Sequence, residues 1–325
     1  MKIAIDENIL IKGEVCAAGS KMLYNFRPPY FATVINKLNA AKMTVSCRTV
    51  TGEFGAPTQK KETAANAVAS GPADAALGID VDGFAYRSAC DNGVIYIKPT
   101  YGTVSRFGLV ANVSSVDQIG VYAKNLDDGF CVLSAVAGHD KNDPAAYPAE
   151  KYEYSAEKTD LNRLKIFETD TGAFKYRDCL EPVYLIISAA EFYSNISKFD
   201  GLRYGYRTEN FKDFNEMIIN SRSEAFTAGT KLKALMGAYV LSEGQFEKYY
   251  YKAAQIRRLV KKELDAVFEN FDIAALPLSN ESAALANLTG CPAVIAKEKI
   301  MIAKEFDENK LYAFGKERKI CDTKL

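Results

Sequence analysis

The segment "IDVDGFAYRSA", residues 79–89, contains the first residues whose types and spacing bear on catalysis. Asp82, Gly83 and Phe84 at its centre predict a tight turn between a helical stretch and a strand. Such a turn can present backbone N–H groups, here those of Asp82 and Gly83, to a cleft as an oxyanion hole. Phe84 has neither a proton to lose nor a lone pair to attack with. The turn is therefore either structural or part of a site that has lost its nucleophile.

Two other residues have the chemistry of a nucleophile and a base. Cys90 lies six residues beyond Phe84, but a reactive thiolate needs a neighbouring base or a positive environment. The single histidine, His139, lies beside Asp140 near the end of a predicted helix and far along the chain. We expect Cys90 to be a packing residue and His139 a surface residue, which makes a catalytic triad improbable.

The elements that would position these residues alternate between helix and strand, which predicts an α/β fold. Apolar periodicity and turn residues predict helices over 28–41, 61–71, 125–140 and 242–272, and strands over 42–50, 92–100, 161–168 and 273–279. We expect Thr33 and Asn125 to be N-caps, Gly71 to end its helix, and Ser242 with Gln245 to form a capping box. No repeat or linker interrupts the pattern, so we expect a single domain over residues 1–325.

Composition excludes several classes of protein. The chain has 325 residues, of which 48% are hydrophobic, and its formal net charge is zero, so we expect no direct nucleic-acid binding. Seven scattered cysteines without a C-x-x-C pair favour a reducing compartment and argue against a structural zinc site. Acidic residues interrupt the apolar N-terminus and no apolar run is long enough to span a bilayer. We therefore expect a cytoplasmic protein without a membrane segment, a metal or a cofactor.

A dozen ordered stretches resemble one family, the amidase signature family, and within it the A subunits of glutamyl-tRNA(Gln)/aspartyl-tRNA(Asn) amidotransferases. The resemblance covers nearly the whole chain and implies a mixed β-sheet flanked by helices. The stretches that carry it include "ENILIKG" (7–13), "GSKML" (19–23), "AALGIDVDG" (75–83), "IKPTYGTVSRFGLV" (97–110), "SSVDQIG" (114–120), "AGHD" (137–140), "KFDGLRYGYR" (198–207), "RSEAF" (222–226), "GAYVLS" (237–242) and "ANLTGCPA" (286–293).

The resemblance implies hydrolysis of amides by a serine–serine–lysine set, and each of its three positions can be read in this chain. The nucleophilic serine corresponds to Phe84, the bridging serine to Lys60 and the lysine base to Asp6. All three chemical roles are thus replaced. If the geometry of the site persists, Asp6 and Lys60 could form an ion pair, with Phe84 in the space of the nucleophile. The alternative is a shortened loop that leaves Lys60 in water.

Other departures from the family agree with this interpretation. An arginine that follows the nucleophile corresponds to Tyr86, and a basic pair corresponds to Leu232 and Lys233. The resemblance also implies that an N-terminal segment and shorter segments near residues 54–56, after 169 and around 279–285 are missing relative to a full-length A subunit.

These observations predict a non-catalytic amidase-like protein that acts as a binding or scaffold module, with amidotransferase B- or C-subunit-like proteins as partners. One alternative is an A subunit that still releases ammonia from glutamine for Glu-tRNA(Gln) or Asp-tRNA(Asn) transamidation through unrecognised residues. Another is a decayed gene product that folds poorly because the missing segments expose apolar surface.

Overall fold

The structure is a computed structural model, and it describes residues 1–148, 152–155, 159 and 163–319. Its strands are β1 (Lys2–Asp6), β2 (Thr44–Thr49), β3 (Ala75–Ile79), β4 (Ile95–Lys98), β5 (Ile119–Ala123), β6 (Ile166–Glu168), β7 (Ile273–Pro277), β8 (Ala293–Ala296) and β9 (Lys299–Ala303). Its α-helices are α1 (Thr33–Ala40), α2 (Ala64–Ser70), α3 (Phe84–Asp91), α4 (Leu126–Val136), α5 (Arg177–Ile196), α6 (Phe214–Ala225), α7 (Ala228–Val240), α8 (Lys252–Val267), α9 (Asn280–Thr289) and α10 (Glu308–Glu317).

The nine strands form one mixed sheet in the order β2-β1-β3-β5-β4-β8-β9-β7-β6. Strand β1 is parallel to both β2 and β3, and β6 is parallel to β7, whereas the remaining pairs are antiparallel. The predicted fold class, an α/β protein with a mixed sheet flanked by helices, is confirmed. Because this one sheet takes strands from both ends of the chain, we propose that residues 1–325 form a single domain.

Two apolar layers cover the two faces of the sheet, as the alternation of side chains along a strand requires. In β1, Ile3 and Ile5 belong to the layer that includes α1 and α4. Ala4, between them, belongs to the other layer, which includes α2, α3, α5, α8 and α9. Ala85, Tyr86 and Ala89 of the segment 79–89 belong to this second layer, so helices on one face of the sheet surround the helical part of that segment.

Several predicted elements are confirmed. The N-cap Asn125 accepts a hydrogen bond from the backbone N–H of Asp128 and starts α4, and Gly71 ends α2 in the left-handed conformation. The predicted strands over 42–50, 92–100 and 273–279 correspond to β2, β4 and β7. Of the strand predicted over 161–168, only β6 is formed, and residues 161 and 162 lie outside the described part of the chain.

Other predictions about local structure are wrong. Thr33 is the first residue of α1 and does not cap it, because its hydroxyl donates to the Asp140 carboxylate. The long helix predicted over 242–272 is α-helical only from Lys252, after a π-helical turn. Ser242 does not form a capping box, since its hydroxyl donates to the Tyr239 carbonyl oxygen at 2.7 Å. Apolar periodicity continues across this junction, so the pattern alone could not reveal it.

One buried carboxylate joins the loop after β2 to the second half of the chain. Glu53 accepts hydrogen bonds from the Ser20 hydroxyl at 2.6 Å, and from the backbone N–H and hydroxyl of Thr227 at 2.9 and 2.6 Å. Thr227 is the N-cap of α7. The contact therefore fixes the start of α7 relative to the sheet.

None of the described helices is both long enough and apolar enough to cross a lipid bilayer.

Candidate functional site

The segment 79–89 forms a sharp turn from a strand into a helix. Strand β3 ends at Ile79 and α3 begins at Phe84. Asp82 and Gly83 between them have φ angles of 56° and 72°, two consecutive left-handed residues. The predicted turn is thus present, but the predicted order of its flanking elements is wrong, since a strand precedes it and a helix follows. The short apolar run of β3 has no polar alternation, so its pattern does not predict a strand.

The backbone N–H groups of this turn all have acceptors within the protein. The hydrogen bonds run from Asp82 N to the Tyr184 hydroxyl (3.0 Å), from Gly83 N and Ala85 N to the two carboxylate oxygens of Asp80 (3.2 and 2.8 Å), and from Phe84 N to the Val81 carbonyl (3.0 Å). A ligand that used the N–H groups of Asp82 or Gly83 would have to displace Tyr184 or Asp80. The oxyanion hole expected at these two residues therefore stays a prediction.

A buried polar network holds the turn in place. Asn287 on α9 donates from its side-chain amide to Asp80 at 2.6 Å and accepts from the Tyr86 hydroxyl at 2.7 Å. Burial raises the pKa of the Asp80 carboxyl, and the hydrogen bond from Asn287 opposes this effect. No local pattern in the sequence assigns a role to Asn287, which lies within the "ANLTGCPA" stretch. Only the packing of α9 beside α3 brings the three side chains together.

Asp6 lies at the end of β1, deep in the sheet. Its carboxylate accepts a hydrogen bond from the Thr49 hydroxyl at 2.5 Å, and a Cβ at Gly78 of β3 would lie only 2.3 Å from its Oδ2. The side chain is buried, and desolvation raises the pKa of this carboxyl to about 7, against the opposing effects of Thr49 and Arg48. A neutral carboxylic acid is the better tolerated form in such a place.

Lys60 does not lie with Asp6. It is exposed in the loop before α2, and its backbone N–H donates to the Thr58 hydroxyl at 3.2 Å. Among the described residues, no carboxylate lies within 4.0 Å of the Lys60 ammonium, and the charges that act on the Asp6 carboxyl are those of Arg48 and Glu7. The ion pair expected between Asp6 and Lys60 is therefore not formed. The loop before α2 leaves Lys60 exposed to water.

Phe84 is half-buried at the first position of α3. A cavity lies beside the turn, but neither Phe84 nor Asp6 lines it, so this cavity does not join the two side chains. The expectation that Phe84 fills the space of a nucleophile stays a prediction.

That cavity has a volume of about 290 Å³ and lies among α3, α5 and α9. Arg87 on its wall donates to the Asn280 side chain at 3.0 Å and to the Asp82 carbonyl at 2.7 Å. Asp82, Glu181 and Tyr184 add polar groups to the wall. The cavity has the size of a site for a small polar molecule.

A lysine from α7 faces the turn from the opposite side. The Lys233 ammonium lies 3.7 Å from the Asp82 carboxylate and 3.4 Å from the Asn112 side-chain oxygen, and 5.1 Å from the centre of the Phe192 ring. Burial lowers the pKa of Lys233, and Asp82 opposes that shift. Because Asp82 supplies a counter-charge, the cation at this position is already neutralised within the chain. Leu232, which precedes Lys233 in the chain, is exposed.

Cys90 and His139 lie in unrelated environments. Cys90 is half-buried near the end of α3, and burial raises the pKa of its thiol. The Nδ1 atom of His139 lies 3.0 Å from the Tyr147 carbonyl oxygen at an exposed position. Their separate contacts agree with the expected packing and surface roles. Within the described residues, no three His, Cys, Asp or Glu side chains come together in an arrangement that could hold a metal ion.

Comparison with known proteins identifies the protein family to which a chain with this fold belongs. The Amidase family model matches residues 63–172 and 151–301. The chain therefore belongs to the amidase family.

Among curated relatives, the A subunit of the glutamyl-tRNA(Gln) amidotransferase of Latilactobacillus sakei subsp. sakei (strain 23K) is 31% identical over an aligned region that covers 97% of this chain and 81% of that protein. The chain is thus similar, over nearly its whole length, to the A subunit of an amidotransferase.

Solved structures share the fold. The A subunit of the Thermotoga maritima glutamyl-tRNA(Gln) amidotransferase superimposes with a TM-score of 0.70 at 24% identity, over 96% of this chain and 81% of that one. The peptide amidase of Stenotrophomonas maltophilia superimposes with a TM-score of 0.79 at 19% identity, over 99% and 84% of the two chains. At these identities the superpositions establish the architecture alone.

Proposed function

We propose that this chain is a non-catalytic member of the amidase family, similar to an amidotransferase A subunit, that acts as a binding or scaffold module. The observation that carries this proposal is the residue content of the three positions that the family resemblance assigns to catalysis, Phe84, Lys60 and Asp6, together with the burial of Asp6 and the exposure of Lys60.

Amide hydrolysis by covalent catalysis needs a nucleophile, a base that activates it, and donors that stabilise the oxyanion. Phe84 cannot serve as the nucleophile. Asp6 is buried and hydrogen-bonded to Thr49, and Lys60 is exposed in another environment. The donors at the turn already have acceptors in Asp80 and Tyr184. Each of the three requirements is therefore unmet by the residues that the family resemblance assigns to it.

An exposed apolar stripe on α7 supports a binding role. The stripe consists of Leu232, Leu235, Met236 and Tyr239, which recur at helical spacing and are 42–68% exposed. Contiguous exposed apolar side chains of this kind mark protein interaction sites. Since the similar curated proteins are named as subunits, we propose that the stripe contacts an amidotransferase B- or C-subunit-like protein.

Six cysteines within the described part of the chain are free thiols, which supports the predicted cytoplasmic location.

The competing function is that of an amidotransferase A subunit with activity of its own. The similarity to such subunits over 97% of the chain favours it. The two proposals differ in a measurable way, because only the second requires the release of ammonia from an amide.

The test is an ammonia-release assay on the purified chain with glutamine and asparagine, combined with labelling by a serine-reactive fluorophosphonate probe. We expect neither ammonia release nor labelling. Ammonia release that is abolished in an Asp6→Asn variant would establish the enzyme function instead. Release that persists unchanged in that variant would have to be traced to its source by mass spectrometry of the labelled protein.

The scaffold role is tested by co-purification with B- and C-subunit-like proteins. We expect a stable complex that the substitution Leu232→Glu weakens. The matched control is Ile219→Glu on α6, because both residues are 61% exposed. Failure to form any complex, or equal weakening by both variants, would refute the proposed stripe. A non-cooperative urea transition of the wild-type chain would favour a decayed protein over a scaffold.

A further inference from the structure

A second, larger cleft lies away from the turn at residues 80–84. Its volume is about 870 Å³, and none of Asp6, Lys60, Asp82 and Phe84 lines it. One wall comes from residues 22–26 with Tyr30, the other from residues 198–199 and 203–207, and the floor is apolar. This volume lies within the range of about 300–1,000 Å³ that is typical of sites for small molecules.

A hydrogen bond between backbone groups joins the two walls of the cleft. The Tyr206 N–H donates to the Met22 carbonyl oxygen at 2.8 Å. Beside it, Gly205 has a φ of 90°, and a Cβ there would lie 2.3 Å from the Met22 sulfur. A side chain at residue 205 would therefore displace the Met22 side chain. The cleft is preformed, which lowers the entropic cost of binding.

The charge of the cleft has one sign. Lys198, Arg203 and Arg207 line it, and no described acidic residue does. Arg207 donates to the carbonyl oxygens of Gly201 and Leu202 at 2.6 and 2.7 Å, so its guanidinium is bound within its own loop.

The other two cations of the cleft lack a counter-charge. Of the described carboxylates, none lies within 4.0 Å of Lys198 or Arg203. Although Lys198 is an exposed residue, surrounding protein atoms desolvate its ammonium, and this alone lowers its pKa. An anion would supply the missing charge to both side chains.

Aromatic rings stand beside these cations. Tyr24, Tyr30 and Tyr204 line the cleft and are 43–56% exposed. Tyr24 packs edge-on against Tyr206 with ring centres 6.0 Å apart, and Tyr30 stacks on Phe107 with ring centres 5.1 Å apart. Two of the three rings are therefore supported by a neighbouring ring. Exposed rings of this kind stack readily on flat aromatic ligands.

We propose that this cleft binds a small ligand that carries a phosphate and a flat aromatic ring, the chemistry of a purine mononucleotide. Lys198 and Arg203 contact the phosphate, and the tyrosines contact the ring. The two unpaired cations favour a phosphate dianion over a single carboxylate. The proposal is independent of whether the chain hydrolyses amides, since the two sites share none of the residues named above.

The test is isothermal titration calorimetry of the full chain with AMP, adenosine and inorganic phosphate at constant ionic strength. We expect saturable binding of AMP at one site, with adenosine and phosphate each at least about tenfold weaker, because each lacks one of the two groups. Lys198→Ala, Arg203→Ala and Tyr204→Ala each weaken AMP binding by about tenfold or more.

The matched control is Lys248→Ala, which removes an exposed lysine outside the cleft and leaves AMP affinity unchanged. Urea transitions of all variants establish that they are folded. The absence of AMP binding by the folded wild-type chain would overturn the proposal. Equal affinity for AMP and adenosine, equal affinity for AMP and phosphate, or equal weakening by Lys248→Ala would also overturn it.

Discussion

Replacing Asp6 by asparagine should make the stability of the protein much less dependent on pH. The carboxyl of Asp6 has an ordinary pKa of 3.8, and burial raises this value to about 7 in the folded chain. Between these two values the folded state holds a proton that the unfolded state has lost. Raising the pH through this window therefore favours unfolding, and above about pH 7 the penalty is constant. Asparagine has no proton to lose, and its side-chain oxygen can still accept the Thr49 hydrogen bond.

The size of the effect follows from the gap between the two values. One pKa unit corresponds to about 1.4 kcal/mol, so the full penalty above pH 7 is about 4 kcal/mol. Between pH 5 and pH 8 the free energy of unfolding of the wild-type chain should fall by about 3 kcal/mol more than that of Asp6→Asn. This difference is insensitive to any constant packing cost of the amide. Other buried acids such as Asp80 are present in both proteins, so their contribution to the pH dependence cancels in this difference.

The assay is urea unfolding of both proteins at several pH values between 4 and 9. The control is Asp178→Asn, since the Asp178 side chain is 88% exposed and should leave the pH profile unchanged. Parallel pH profiles for the wild type and Asp6→Asn would refute the reasoning. They would mean that Asp6 is ionised in the folded chain at neutral pH, and that Arg48 compensates for its burial.

Three further predictions concern packing and reactivity. Gly205→Ala should lower the free energy of unfolding by about 1–3 kcal/mol more than Gly244→Ala, because only the first methyl group meets a buried side chain; urea transitions check it. Glu53→Ala should cost about 1–3 kcal/mol in the same measurement, since it removes the acceptor of three hydrogen bonds, one of them from the buried Ser20 hydroxyl. Cys90 should be alkylated by iodoacetamide more slowly than the exposed Cys131 at pH 7, as followed by mass spectrometry, and faster alkylation would contradict its raised pKa.

Local signals in the sequence were sufficient for much of the fold. Gly71 ends α2 because glycine adopts the left-handed conformation without strain, and Asn125 caps α4 because its side chain is short enough to reach the first turn. Strand β3 could not be predicted from its pattern, because a strand buried on both faces has no polar alternation. The π-helical turn before α8 could not be predicted either, because the apolar spacing continues through it.

The sequence by itself determined which side chains stand at the three positions that the family resemblance assigns to catalysis, and it located Phe84 at a turn. A missing hydroxyl or amine is a property of residue type and needs no coordinates. Only the tertiary structure decided where those side chains lie. The pairing of β1 with β2 and β3 buries Asp6 beside Thr49 and Gly78, whereas the loop before α2 leaves Lys60 in water. Burial and counter-charges depend on contacts between residues far apart in the chain, and these contacts have no signature in local spacing.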